Sequence, residues 1–241
     1  MKLRIVCLCL VLGSSVLSLS AQKNKPAPPP DSDPQWQVYR TALGYGDVNV
    51  AIHALYQILA KNPTDNAIKD SLATLYFTSG FASQSLLVGL DILKSDPNNV
   101  KMLELTAISY SSLGYVKQSV DQYDKLYNIS HQPYHLYQLA VQQYALKRYE
   151  ECAQSLNNLI ADPKSAEEKI TIDGDAKKQQ RVSLKAAAYN VLGVAHRDLG
   201  KIEPAKNYFQ EALKIEPDFI LPKNNLADME AKANPAAPNK K

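Results

Sequence analysis

The sequence predicts an all-α fold: a right-handed α-solenoid of five helix-turn-helix repeats closed by a C-terminal capping helix, with a short β-hairpin inserted before the last repeat. Three observations lead there. Gly46, Gly80 and Gly114 recur every 34 residues, and each falls between two stretches patterned like helices. Pro63 and Pro97 keep the same interval. Gly200 follows Gly114 by 86 residues, two periods and a further 18, which places an insertion at 167–185. A fixed period of this length, with a glycine break and a closing proline, marks units that cannot bury their apolar faces alone and must stack.

The chain opens with Lys2 and Arg4 before the apolar run Ile5 to Leu12, and small residues follow up to Ser18, Ser20 and Ala21. That pattern fits a cleavable export signal over residues 1–21, cut after Ser20 or Ala21. The run is too short and serine-rich for a stable membrane span. Cys7 and Cys9 lie inside the apolar run, not beyond it, which argues against lipid attachment. Residues 22–31, with Pro26, Pro28, Pro29 and Pro30, read as a stiff Pro-rich linker. Asp33 then stands as a helix cap with Pro34 in the first turn.

The segment from 186 to 219 is the clearest single unit: Ala-Tyr-Asn-Val-Leu-Gly over 188–193, then Ala205, Phe209 and Ala212, then Ile-Glu-Pro over 215–217. Ala205, Phe209 and Ala212 follow spacings of four and three and so share one helical face. Pro217 stops the helix. These residues resemble the tetratricopeptide repeat family. The resemblance implies that Leu192 and Gly193 let two helices approach closely, and that the first helix of each unit lines a concave groove. Working outward gives repeats at 32–65, 66–99, 100–132, 133–166 and 186–219. Leu72 with Ala73, Thr106 with Ala107 and Leu139 with Ala140 replace the Leu-Gly pair, and Ser85, Ser119 and Cys152 stand where Ala205 stands. Gly89 in place of Phe209, His131 in place of a closing proline and Lys147 in place of the turn glycine depart further from the pattern.

The insert reads differently. Lys169 to Ile172 alternates, with Ile170 and Ile172 on one side, and Gln179 to Leu184 alternates with Val182 and Leu184. Turn residues over Asp173 to Lys178 separate them, a β-hairpin signal. Such an insert is either a specificity element or a tolerated decoration. Residues 220–233 read as a cap helix, with Leu221 and Leu226 inward and Lys223, Asn224, Asn225, Asp228 and Glu230 outward. Residues 234–241 form a polar tail.

Function is read mainly by exclusion. The net charge of +3 falls to +1 without Lys2 and Arg4, which gives no steering toward nucleic acid. Export removes Cys7 and Cys9, and Cys152, at a small-residue core position, reads as a buried hydrophobe. His131 and His135 are separated by Pro133, which argues against a shared metal. His53 and His196 read as structural. Asp173-Gly174-Asp175 lacks the spaced oxygens of a calcium loop. No phosphate loop, nucleophile elbow or zinc helix is present. No catalytic residue, metal or cofactor is therefore expected.

What the resemblance offers is the groove. Trp36, Asp70, Glu104, Tyr137 and Asn190 form one row of equivalent first-helix positions. Arg40, Thr74, Ile108, Val141 and Val194 form a second, and Leu43, Phe77, Ser111, Tyr144 and Arg197 a third. The candidate binding residues are Trp36, Arg40, Asp70, Phe77, Glu104, Ile108, Tyr137, Val141, Tyr144, Asn190 and Arg197. Large aromatics there would bury much area at little rotamer cost. The rows lack a clamp of lysines, asparagines and an arginine for a terminal carboxylate, so an extended or helical apolar segment fits better. The expectation is a non-catalytic protein or peptide scaffold outside the cytoplasm, in the periplasm, the cell envelope or the medium. An accessory of envelope assembly or secretion is the alternative, with a glycan binder or an enzyme as a third class. Open solenoid ends and a lone hairpin edge leave self-association open.

Overall fold

A computed structural model describes residues 33–173 and 179–233. The expected export signal, Pro-rich linker, hairpin turn over 174–178 and polar tail lie outside the described residues. The described chain forms two compact units, residues 33–131 and 132–233.

The first unit is three helix pairs: α1 (Pro34–Gly44) with α2 (Val48–Leu59), α3 (Asn66–Thr78) with α4 (Ala82–Ser95), and α5 (Val100–Ser112) with α6 (Val116–Ser130). Short polar side chains start α1, α2 and α5. Asp33 Oδ1 accepts from Gln35 N–H at 3.0 Å, Asp47 from Val50 at 3.1 Å, and Asn99 from Met102 at 3.1 Å. Each satisfies an otherwise orphaned first-turn donor. Within each pair the turn passes through the left-handed region, with φ of 80° at Gly80 and 81° at Gly114. A side chain there would cost roughly 1 kcal/mol.

Packing inside the pairs explains two departures from the repeat pattern. Ser85 Oγ donates to the Ala73 carbonyl at 3.0 Å, and Ser119 Oγ to the Ala107 carbonyl at 2.8 Å, both fully buried. A hydroxyl thus replaces the alanine methyl and ties second helix to first. Gly89 is where α4 meets α5: a Cβ there would lie 2.7 Å from Thr106 Cγ2. The ring missing at this position is replaced by close approach of the next repeat. Ala42, Leu55, Ile68, Leu72 and Tyr76 belong to one core cluster running from the first pair into the second.

The second unit holds α7 (Pro133–Ala145) with α8 (Tyr149–Ala161), a one-turn α9 (Lys164–Glu167), β1 (Lys169–Asp173), β2 (Gln179–Ser183), then α10 (Leu184–Asp198), α11 (Ile202–Ile215) and α12 (Ile220–Ala233). Lys147 takes the turn position between α7 and α8 at φ 59°, so the missing glycine alters the residue and leaves the turn in place. In the α10–α11 pair, a Cβ on Gly193 would lie 2.5 Å from Phe209 Cε1. The ring fills the space that Gly193 leaves, and Ala205, Phe209 and Met229 form a core with Val194 and Leu226.

β1 and β2 pair antiparallel, with Ile170 opposite Val182 and Ile172 opposite Gln180. The strand alternation does not extend to Leu184 as expected. Ser183 ends β2 and caps α10, its Oγ accepting from Ala186 N–H at 3.3 Å, and Leu184 is the buried first residue of that helix. The hairpin is fastened to the corner between α11 and α12. Gln180 Nε2 donates to the Asp218 carbonyl and its Oε1 accepts from Ile220 N–H, both at 2.7 Å. Ser183 N–H donates to Glu216 Oε1 at 3.2 Å. A two-stranded ribbon is marginal alone, and these bonds give it a support.

Candidate partner-binding surface

In the first unit the candidate residues lie on α1, α3 and α5. Trp36 is half-buried, edge-on to Tyr39 at 5.6 Å and packed on the core beneath. Arg40 is exposed on the next turn. Asp70 of α3 accepts from Lys101 Nζ of α5 and from Thr74 Oγ1 at 3.5 Å. Phe77, half-buried, packs on Ala73, Ile92, Met102 and Leu105. Glu104 and Ile108 of α5 are half-buried, and burial raises the Glu104 carboxyl above its ordinary range.

In the second unit they lie on α7 and α10. Tyr137 was expected to project as an anchor, but only 8 % of it is accessible, and it packs as interior. Burial raises its phenol well above the usual value. A ring at this position of α7 has the same sequence spacing whether it projects or packs, so spacing does not separate the two. Val141 remains half-buried.

Tyr144, Asn190 and Arg197 are joined in one hydrogen-bonded chain. Tyr144 Oη donates to Asp198 Oδ2 at 2.5 Å. Arg197 donates through Nε and Nη2 to Asp198 Oδ1 at 3.3 and 3.2 Å, and through Nη1 to Asn225 Oδ1 at 2.7 Å. Asn225 Nδ2 donates to Asn190 Oδ1 at 3.3 Å. Burial first, then the Asp198 carboxylate, raises the Tyr144 phenol far above its ordinary value. Asn225 was read as facing outward; it is half-buried against α10 because Arg197 and Asn190 offer it an acceptor and a donor role together. Phe219, Pro222 and Met229 are the buried positions near and on α12, where Leu221 and Leu226 are half-buried.

Lys101, Asp198 and Asn225 are the site residues that repeat reasoning passed over. Lys101 follows Asp70 by 31 residues, close to one period, and that near-period charge pairing is the signal that would have found it.

The histidines and Cys152, singled out in the sequence, lie on the helices or at their ends. His131 ends α6 in the left-handed conformation, whereas His135 sits within α7, so the two rings belong to different helices. His135 is buried and its imidazole is pushed down to about 4 by loss of solvation. Cys152 is fully buried and its thiol is pushed up to about 12, unfit for nucleophilic work at neutral pH. His196 Nδ1 lies 2.9 Å from the Leu192 carbonyl, with the ring on Tyr208. Among the described residues, no three His, Cys, Asp or Glu side chains gather as a metal would require. No helix among them is long and apolar enough to cross a membrane.

Residues 186–219 match the tetratricopeptide repeat family, and residues 136–165 match a second tetratricopeptide repeat family. The chain carries tetratricopeptide repeats over these residues. The 186–219 match coincides with the pair that Gly193 and Phe209 lock together, and the 136–165 match with α7 and α8. Similar folds are found in a tetratricopeptide repeat protein from Parabacteroides merdae, at 18 % identity and TM-score 0.65, covering 83 % of this chain and 73 % of that one. YrrB, described as a TPR protein with an unusual peptide-binding site, aligns at 11 % identity and TM-score 0.64, covering 82 % and 92 %. MamA aligns at 14 % identity and TM-score 0.62, covering 86 % and 96 %. These likenesses are of fold. No curated protein matches the sequence well enough to stand as a relative.

Proposed function

We propose that this tetratricopeptide repeat protein is a non-catalytic scaffold that holds a protein or peptide segment on its first-helix faces and works outside the cytoplasm. Repeats of this family serve as interaction modules, and YrrB is described as having a peptide-binding site. One observation carries the choice of ligand. Charged members of the candidate rows are paired within the chain, Asp70 with Lys101 and Arg197 with Asp198 and Asn225. Phe77 and Ile108, on α3 and α5 of the first unit, are apolar and only half-buried. Such a face gains free energy by covering apolar area, about 25 cal/mol per Å². It has little to offer a terminal carboxylate.

Replacing Ile108 with a photo-crosslinking residue, followed by irradiation and mass spectrometry, should capture a partner through an apolar segment. The same capture from a different first-unit position, in a chain carrying Phe77→Ser and Ile108→Ser, should be lost while the helical signal is retained. Equal capture by that double variant defeats the reading. The location outside the cytoplasm is supported by Lys2, Arg4, the Ile5 to Leu12 run and the small residues up to Ala21. Cell fractionation with N-terminal sequencing tests it: a mature chain starting at Ala21 or Gln22 is expected, and full-length protein held in the cytoplasm overturns it.

A further inference from the structure

The hairpin has two edges in different circumstances. Leu184 N–H donates to the Glu168 carbonyl at 2.9 Å, continuing the ladder in which Lys169 faces Ser183 and Thr171 faces Arg181. Bonded and non-bonded pairs alternate along an antiparallel ladder. Ile170 with Val182 and Ile172 with Gln180 therefore exchange the bonds inside the hairpin. The backbone groups of Lys169, Thr171 and Asp173 on β1, and of Gln179, Arg181 and Ser183 on β2, point away from it. On the β2 side the outer edge meets the α11–α12 corner, where Ser183 N–H reaches Glu216. On the β1 side no further strand follows among the described residues, and Lys169 and Thr171 are exposed.

We propose that β1 pairs antiparallel with β1 of a second copy of this chain, about a two-fold axis through Thr171. Charge selects this occupant. Lys169 and Asp173 stand two residues to either side of Thr171, so the two-fold arrangement puts each lysine opposite the other copy's aspartate, twice. Opposite charges facing across strands stabilise, and like charges destabilise. Parallel in-register pairing would set lysine beside lysine and aspartate beside aspartate. The antiparallel edge is self-complementary in the way an isologous interface requires.

Ile170 also falls opposite Ile172 of the other copy, on the hairpin's other face, so the apolar pattern continues. The existing contacts of the two charges are loose: Lys169 Nζ lies 3.5 Å from Glu216 Oε1, and Asp173 Oδ1 accepts from Gln179 Nε2 at 3.3 Å. The product is one four-stranded sheet, ordered β2, β1, β1, β2, which turns a marginal ribbon into a stable unit and covers its open edge.

Sedimentation velocity of the full chain over a range of concentrations tests this. A concentration-dependent dimer is expected. Thr171→Pro, which removes the central edge donor, should abolish it. Asp173→Lys and Lys169→Asp should each weaken self-association by about tenfold. Mixing those two single variants should restore it, because each lysine again meets an aspartate. Thr171→Cys should give a disulfide between the two introduced thiols under mild oxidation, since directly opposed bonded residues lie about 5.5 Å apart at Cα. The charge variants leave the strand backbone unaltered and decide the case even where Thr171→Pro disturbs the hairpin. A chain that stays monomeric throughout overturns the proposal, as does a dimer indifferent to the charge reversals and to their mixing.

Discussion

Where the two helices of a repeat cross, the two units solve the same spacing problem with different chemistry. In the first unit, Ser85 and Ser119 bind first-helix carbonyls 12 residues back. In the second unit the equivalent positions are Cys152, whose thiol meets the Tyr144 backbone and not a carbonyl 12 residues back, and Ala205, whose methyl can make no such bond, and Gly193 admits the Phe209 ring at contact distance. A hydrogen bond fixes distance and direction but contributes only about 1 kcal/mol net. A ring wedged against backbone contributes several times that when removed, yet tolerates no added atom. The difference teaches that one repeat pattern can hide two kinds of fragility, one mild and distributed, the other severe and concentrated.

The sharpest way to break the contrast is Gly193→Val. Phe209 is fully buried and has nowhere to move, so a loss of about 3 kcal/mol or more is expected in urea denaturation. Gly44, which has open space around it, should accept alanine with little change.

Acid should expose a second asymmetry. His135, in the second unit, is held neutral to about pH 4 when folded, while the unfolded residue takes up its proton near pH 6.5. Between those values the unfolded chain binds a proton that the folded chain refuses, so stability is full above about pH 6.5 and falls as pH drops toward 4. The loss is on the order of 3 kcal/mol at most. Melting temperature against pH should lose this slope in His135→Gln. The first unit's His53 and His131 are exposed and give no comparable buried group.

Two milder substitutions sharpen the comparison. Gln180→Ala removes both 2.7 Å bonds to the α11–α12 corner and should speed amide exchange at the start of α12, with a cost of about 1 to 2 kcal/mol. Ser119→Ala should cost about 1 kcal/mol and act on α5 and α6 instead. The smallest effect has the opposite sign. Lys147→Gly relieves a left-handed side-chain conformation and should stabilise by roughly 1 kcal/mol, read as a raised melting temperature.

How much of this was legible in the sequence follows from the range of the forces involved. Turn glycines, closing prolines and the Ala205, Phe209, Ala212 face are local signals, and the helix pairs lie where they point. The hairpin was legible for the same reason, because strand alternation is a two-residue property. Its end was not: Ser183 leaves the ladder because it is needed as a cap, a competition between two local roles that alternation cannot rank. The candidate surface was less legible. Tyr137 and Asn225 occupy positions whose pattern is the same whether the side chain projects or packs, and only the neighbouring helix decides. Lys147 breaks the glycine rule because the turn's backbone is dictated by the helices on either side.

Gln180 presents both an N–H and a carbonyl oxygen to the chain near Ile220, so its side chain behaves as a detached peptide unit. Through it the first amide of α12 receives its acceptor from a residue 40 positions upstream. During synthesis the hairpin emerges well before that helix does. The acceptor is therefore already in the chain when Ile220 arrives, and a hairpin closed in this register supplies the last helix with one of its first-turn partners. A one-residue slip of β2 would turn Gln180 to the opposite face and take both of its bonds to the α11–α12 corner with it.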